Sequence, residues 1–494
     1  EKSNPNSSTY DVLVLVCRDI KEAFIPSFIK KISSDAFGQC KKLETIEFSE
    51  DSQLETIGKY AFLNCNMKTI KLPSSVKHLK SYCFSNCRNL KNIEISEDSQ
   101  LLTIGMWTFN CTSIENLYIP SKLEYLKDRW FDGLKNLKKI TVSSENKHFG
   151  FLDEEHKLFA EKTDINNEFY DVLHFAFHDI EKVEIPTSIR KIKTYSFSYC
   201  DLLKTVTFLP DSKLEIIEND AFNSSSIEEI SIPSKVNNIG SFLFYQCQNL
   251  RKVDFSQNSE LTYFPAEMIG SSRIESFSIP SKVKELQSNW CSYANYLTKI
   301  ELSKDNKNFS FIDEEKKLIV GKSNENLEIF DTLIFVCRDV KKVTIPISIK
   351  YISSYCFSNC KIDYIKIPKS VISIRNNAFD YCCSLRKIDF DENSDEIKIN
   401  EYCFRYSLIK NIIFPYKKIK INLISLLDCD NLSSIEFLGE DIQFDDFISC
   451  KNLKIISMPN VEFFLFEKDW ISWFSDDFLL LFMKPGSNKL IQSI

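Results

Sequence analysis

A pair of apolar residues separated by one non-core position recurs along this chain at steps of alternately 24 and 23 residues. The pairs are Ile46/Phe48, Ile70/Leu72, Ile93/Ile95, Leu117/Ile119 and Ile140/Val142. After a gap of 43 residues they resume as Val183/Ile185, Val206/Phe208, Ile230/Ile232, Val253/Phe255, Phe277/Ile279 and Ile300/Leu302. Apolar, exposed, apolar is the signature of a strand with one face buried. Two dozen residues cannot enclose a core of their own, so each segment must be completed by the segments on either side of it. That constraint points to a stacked solenoid of about eighteen to twenty turns.

Proline sets the register independently. Of the 14 prolines, ten directly follow the second apolar residue of a strand, mostly in alternate turns: Pro26, Pro73, Pro120, Pro186, Pro233, Pro280, Pro346, Pro368, Pro415 and Pro459. With no N–H and φ held near −65°, proline stops a ladder and turns the chain away. The other strand type runs into a polar loop such as Ser49–Leu54, so the structural unit is a two-turn module of 47 residues.

A longer period lies over the short one. "YDVLVLVCRDI" from Tyr10, "YDVLHFAFHDI" from Tyr170 and "FDTLIFVCRDV" from Phe330 are 160 residues apart. Before the second and third copies come "FGFLDEEHKLFA" and "FSFIDEEKKLIV", read as a strand, an acidic turn and a second strand that lead into an apolar strand returning to the stack. The expected organisation is a tail (1–9), three super-repeats (10–169, 170–329 and 330–460) and a carboxyl-terminal cap (461–494). The third super-repeat is one turn shorter, with Ile345 and Ile367 only 22 residues apart. In the cap, Trp470, Phe474, Phe478 and Leu481 fall at helical spacing.

Composition narrows the function classes. Apolar residues make up 43% and charged residues 27% of 494, which predicts a packed core. Net charge is −7 with no Lys/Arg block, so there is no electrostatic footprint for nucleic acid or an anionic membrane. No apolar run approaches the ~20 residues of a spanning helix.

Residues that could carry chemistry have structural explanations. Eight of the 17 cysteines sit in F-x-x-C (Cys40, Cys65, Cys87, Cys200, Cys247, Cys360, Cys382 and Cys450), one per turn at a fixed depth, and read as buried small side chains. His174 and His178 have the spacing of a helical metal pair, but the sister positions hold Val14/Arg18 and Ile334/Arg338, so no metal site is expected. Asp153–Glu155 and Asp313–Glu315 read as hairpin turns rather than a general acid and base. Arg18/Asp19 and Arg338/Asp339 read as a local charge pair or a loop-capping Asp, which is scaffolding. No catalytic residue and no cofactor is expected.

The strands, the A-F-x-x-C of Ala36–Cys40 and Ala61–Cys65, and the I-P-S-x-V of Ile232–Val236 and Ile279–Val283 resemble the BspA-like leucine-rich-repeat proteins, surface antigens and adhesins of mucosal bacteria and protozoan parasites. The resemblance covers roughly residues 10–460. It implies a leucine-rich-repeat solenoid (α/β type) with a parallel β-ribbon on the concave face and short helical or irregular segments on the convex face. It also implies a non-catalytic surface or secreted protein that binds host-cell or matrix proteins. The alternative is an intracellular interaction scaffold, which the reduced-looking cysteines favour. The ribbon offers one surface signal, acids between the two apolar partners of a strand: Glu47, Glu94, Glu184, Asp254, Glu301, Asp389 and Glu436. These predict an acidic stripe able to steer a basic protein partner.

Overall fold

The computed structural model describes residues 1–3, 10–439, 441–445, 452–459, 479–483 and 490–492, apart from positions 257, 325 and 393–394. Two compact units divide at 226/227. Each is a parallel-strand β-solenoid, and together they carry about 19 turns with almost no helix. Successive turns are joined by three kinds of hydrogen-bonded ladder.

The first ladder is the expected one. In unit 1, Thr69–Lys71 pairs with Asn92–Glu94, and Asn116–Ile119 with Lys139–Val142, all parallel. In unit 2, Glu229–Ile232, Lys252–Phe255, Ser276–Ile279 and Lys299–Leu302 pair in succession. Burial alternates as the sequence pattern requires; Ile230 and Ile232 are interior while Ser231 is exposed. The prolines end these strands, and the residue three further on closes a turn onto the proline carbonyl, as Val76 does on Pro73 at 3.1 Å. Val343–Ile345, the expected first strand of the third copy, buries Ile345 but is not a strand.

The second ladder is built from short strands that follow the first by about half a turn. In unit 1 they are Val12–Leu13, Lys31–Ile32, Thr56–Ile57, His78–Leu79, Thr103–Ile104 and Tyr125–Leu126, one six-stranded parallel sheet. The inserted hairpins enter here. Phe149–Phe151 and Leu158–Glu161 are antiparallel, Leu158–Glu161 pairs antiparallel with Val172–Ala176, and Val172–Leu173 returns to the parallel stack against Lys191–Ile192. Phe309–Phe311, Leu318–Gly321 and Thr332–Val336 repeat the arrangement in unit 2.

The third ladder replaces helix. In the F-x-x-C segment alternate N–H groups point at the next turn: Phe37 N–H reaches Ala61 O at 2.8 Å and Gln39 N–H reaches Leu63 O at 2.7 Å. This direction requires left-handed backbone at two positions per turn, as at Tyr60 (φ 58°) and Asn64 (φ 59°). Such φ values disfavour bulky side chains, and the repeated inter-turn hydrogen bond offsets that cost. The segments expected to be helical or irregular are thus irregular; the one helix among the described residues is the 3-10 turn Leu423–Leu426.

Core phenylalanines stack along the axis, Phe37 to Phe62 at 4.9 Å and Phe62 to Phe84 at 5.4 Å between ring centroids. The cysteine slot does more than fill space. Cys65 Sγ donates to Phe37 O at 3.1 Å, Cys87 Sγ to Phe62 O at 2.9 Å and Cys382 Sγ to Phe357 O at 3.0 Å, each one turn back. Thr112 and Ser272 occupy the same slot, each bonding a carbonyl of its own turn. Cys450 lies outside the described residues.

At the carboxyl end Leu479–Met483 is a strand, parallel to Ile455–Pro459 and antiparallel to Leu490–Gln492. The helical spacing read through Leu481 is overturned: five consecutive apolar residues extend an existing ladder edge, where backbone partners are already in place. Trp470, Phe474 and Phe478 lie outside the described residues.

Candidate functional site

The sites suspected of chemistry resolve into structure. Asp153 accepts from the Lys157 and Leu158 N–H groups at 2.8–3.0 Å, and Asp313 does the same for Lys317 and Leu318, so both carboxylates staple hairpin turns. His174 is buried and bonded to Glu161, and burial holds its imidazole below the usual range. His178 instead lines an open cavity of about 690 Å³ with Asp179, Tyr195 and Tyr199. Asp171 and Asp331 each accept both the N–H and the hydroxyl of a residue eight positions earlier, Thr163 and Ser323.

The expected Arg338/Asp339 charge pair does not form. Arg338 is fully buried and donates to the carbonyls of Val336, Cys356 and Tyr355 at 3.2, 2.9 and 3.2 Å. Asp339 turns outward to Lys317 at 2.7 Å. The strand ends at Val336, and in the turn that follows it, closed by Val340 N–H on Cys337 O at 3.2 Å, the two side chains leave in different directions. Scaffolding remains their role.

The seven acids of the stripe lie on the solvent side of the first ladder, with Glu47, Glu94, Glu184 and Glu301 exposed and Asp254, Asp389 and Glu436 half-buried. Three of them are neutralised by the lysine two residues earlier on the same strand face: Lys252–Asp254 at 2.6 Å, Lys299–Glu301 at 2.5 Å and Lys387–Asp389 at 2.8 Å. The signal was present as K-x-[DE]. Glu94 stands beside Lys71 in register, and Glu47 beside Phe24, which is 62% exposed.

A second surface had gone unrecognised. The left-handed position two residues before each core phenylalanine carries Tyr60, Tyr82 and Trp107 in successive turns. Their rings are half-buried and contact at 4.8 and 5.0 Å between centroids. Lys59 covers one end, 4.8 Å from the Tyr60 ring. At the other, Arg129 lies between Trp107 (4.9 Å) and Tyr195 (4.1 Å), donates to the Tyr195 hydroxyl at 2.6 Å and approaches Asp220 at 3.5 Å. Burial pushes the Asp220 carboxyl above the usual carboxylate range. Unit 2 carries a related group in which Tyr381 and Tyr406 are 4.4 Å apart and Arg405 donates to the Tyr293 hydroxyl at 3.3 Å. The readable trace is [YW]-x-F, as in Tyr60–Phe62, Tyr82–Phe84 and Trp107–Phe109.

The pattern of the BspA type leucine rich repeat region matches six copies over residues 30–152, 171–298 and 328–462, most of the chain. The chain belongs to the BspA-type leucine-rich-repeat family. Two solved structures are similar to this BspA-type chain in fold. The pneumococcal vaccine antigen PcpA is 21% identical with a TM-score of 0.51, the match covering 74% of this chain and 88% of that one. A leucine-rich repeat protein from Eubacterium ventriosum is 21% identical with a TM-score of 0.53, covering 70% and 84%. No curated protein matches.

Sixteen described cysteines are free thiols, and only Cys17, Cys111 and Cys383 are exposed. Burial pushes Cys337 up to about 12 and Cys429 up to about 11, which keeps both as unreactive thiols near neutrality. A chromogenic disulfide reagent added to the native BspA-type chain should therefore label those three rapidly and the described interior thiols only on unfolding. Fast labelling of the interior set would show that the cysteine slots open.

Proposed function

We propose that this chain is a non-catalytic recognition protein, displayed at a cell surface or secreted, that binds host-cell or extracellular-matrix proteins through its ladder faces. The observation that carries this reading is the ridge of Tyr60, Tyr82 and Trp107 closed by Arg129. Tyr, Trp and Arg dominate the energetics of protein interfaces because they combine large apolar area, a polar handle and little entropy to lose. Here the stack and the left-handed backbone have already ordered them, so a partner need not bear that cost. No helix among the described residues is long and apolar enough to cross a membrane. The acids Glu47 and Glu94, which lack a lysine two residues back, would steer a basic partner to the same unit.

The test is adhesion of the purified chain to host-cell monolayers and immobilised matrix proteins. Tyr82→Ala with Trp107→Ala should lower binding at least tenfold with the circular dichroism spectrum retained. Reversing Glu47 and Glu94 to lysine should slow association and flatten its salt dependence. Binding indifferent to both changes would reject the reading. The free thiols favour a second one, an intracellular interaction scaffold, since reduced cysteines persist in reducing compartments. Labelling intact cells with a membrane-impermeant tag separates the two, because an intracellular scaffold stays unlabelled.

A further inference from the structure

The coil that leaves the second inserted hairpin forms, with its neighbours in unit 2, an open cavity of about 570 Å³, within the range of small-molecule sites. Tyr351, Tyr355, Arg375, Lys398, Asn376 and Asn400 line it, and no carboxylate does. Tyr351, Ser373 and Lys398 occupy successive rungs of the short-strand ladder, so the rigid backbone sets them one strand spacing apart, ~4.8 Å per rung. The Arg375 guanidinium is 5.7 Å from the centre of the Tyr351 ring. Among the described residues neither Arg375 nor Lys398 has an ion-pair partner; the neighbouring Glu396 is taken by Lys418 and Asp380 by Arg405.

The equivalent place after the first hairpin, in unit 1, shows how the same fold manages such cations when they are kept to itself. There Lys191 pairs with Glu218, Lys193 with Asp128 at 2.9 Å, and Arg129 with Asp220 at 3.5 Å. Glu218 directly follows the short strand Ile216–Ile217, as Arg375 follows Ser373–Ile374. Asp128 lies two residues past Tyr125–Leu126, as Ser288 lies two past Glu285–Leu286. An acid has thus become a base at one position and a serine at the other. The third acid is displaced to Asp380, where Arg405 binds both of its oxygens at 2.9 and 2.7 Å. The first junction is self-neutralised; the second holds two cations in a concave, amide-rich and aromatic setting with no ion-pair partner among the described residues.

We propose that this cavity binds an acidic saccharide. Arg375 and Lys398 take its carboxylate or sulfate as charge-assisted hydrogen bonds. The amides of Asn376 and Asn400, which both donate and accept, match ring hydroxyls, and Tyr351 or Tyr355 supplies a flat apolar face for the sugar ring. A bare inorganic anion would use the cations alone and leave the rings and amides without a role.

Isothermal titration of the full chain with methyl glucuronide, glucose 6-sulfate, methyl glucoside and inorganic sulfate tests this. One or both acidic sugars should bind, the better of the two identifying the anion, while methyl glucoside and inorganic sulfate should bind at least tenfold more weakly. Arg375→Glu, which copies the residue at Glu218 and places an acid beside Lys398, should abolish binding and leave the melting temperature unchanged. Lys398→Gln, on an exposed rung, should weaken binding at least fivefold and serves if the first variant is unstable. Equal binding of methyl glucoside, equal binding of inorganic sulfate, or full affinity in both variants would overturn the proposal.

Discussion

Replacing Phe62 with alanine should lower the unfolding free energy by about 3–5 kcal/mol, the cost of emptying a buried aromatic site. Phe62 is wholly buried and packed between Phe37 and Phe84 in the turns before and after it. Its backbone is committed as well, with its N–H on Cys83 O at 2.8 Å and its carbonyl accepting the Cys87 thiol at 2.9 Å. These contacts hold the turn from both sides, so the surroundings cannot collapse into the hole without breaking a ladder. In a stack governed by nearest-neighbour terms, the loss also weakens coupling between the turns on either side. Urea denaturation followed by tyrosine fluorescence and by far-ultraviolet circular dichroism should give a lower midpoint and transitions that no longer coincide. Phe62→Leu, which preserves most of the volume, should cost about 1.5 kcal/mol. An alanine variant within ~1 kcal/mol of the parent would contradict the stacked core.

The second large effect is expected at Arg405. Its guanidinium binds both oxygens of Asp380, which is fully buried and also accepts from Asn377 at 2.9 Å. Removing one partner of a buried pair strands the other, at a cost of about 3 kcal/mol. Arg405→Met keeps the apolar stem and deletes only the fork. Its deficit should come from the Asp380 carboxylate, left buried without its fork. Arg405→Met combined with Asp380→Asn should recover most of the loss, measured by urea denaturation. A double variant no more stable than Arg405→Met would place the effect in packing against Tyr381, Tyr402 and Tyr406, which Arg405 also contacts.

Much of the architecture was legible because it rests on period and register. Ile70, Ile93 and Leu117 mark one ladder because a buried side chain every turn is the only way so short a segment can be stable. Phe149–Glu161 reads as a hairpin because apolar alternation flanks an acidic turn. The short-strand ladder escaped notice since two residues, such as Thr56–Ile57, are too few to show a period. The acidic stripe was legible as acids but not as pairs: Lys252, Lys299 and Lys387 become partners only when two residues along a strand return to the same face.

The repeat length, the strand positions and the need for neighbouring turns followed from the amino-acid order alone, since they depend on local spacing and on core burial that any such stack must satisfy. The aromatic ridge did not. Tyr60 and Phe62 are two residues apart, and on an extended strand both would face inward; left-handed backbone at Tyr60 turns its ring out, and hydrogen bonds to the next turn hold that conformation. Likewise Arg375 and Lys398 share a cavity, and Glu218 and Lys191 an ion pair, because coils more than twenty residues apart in sequence lie side by side, a proximity that only stacking creates.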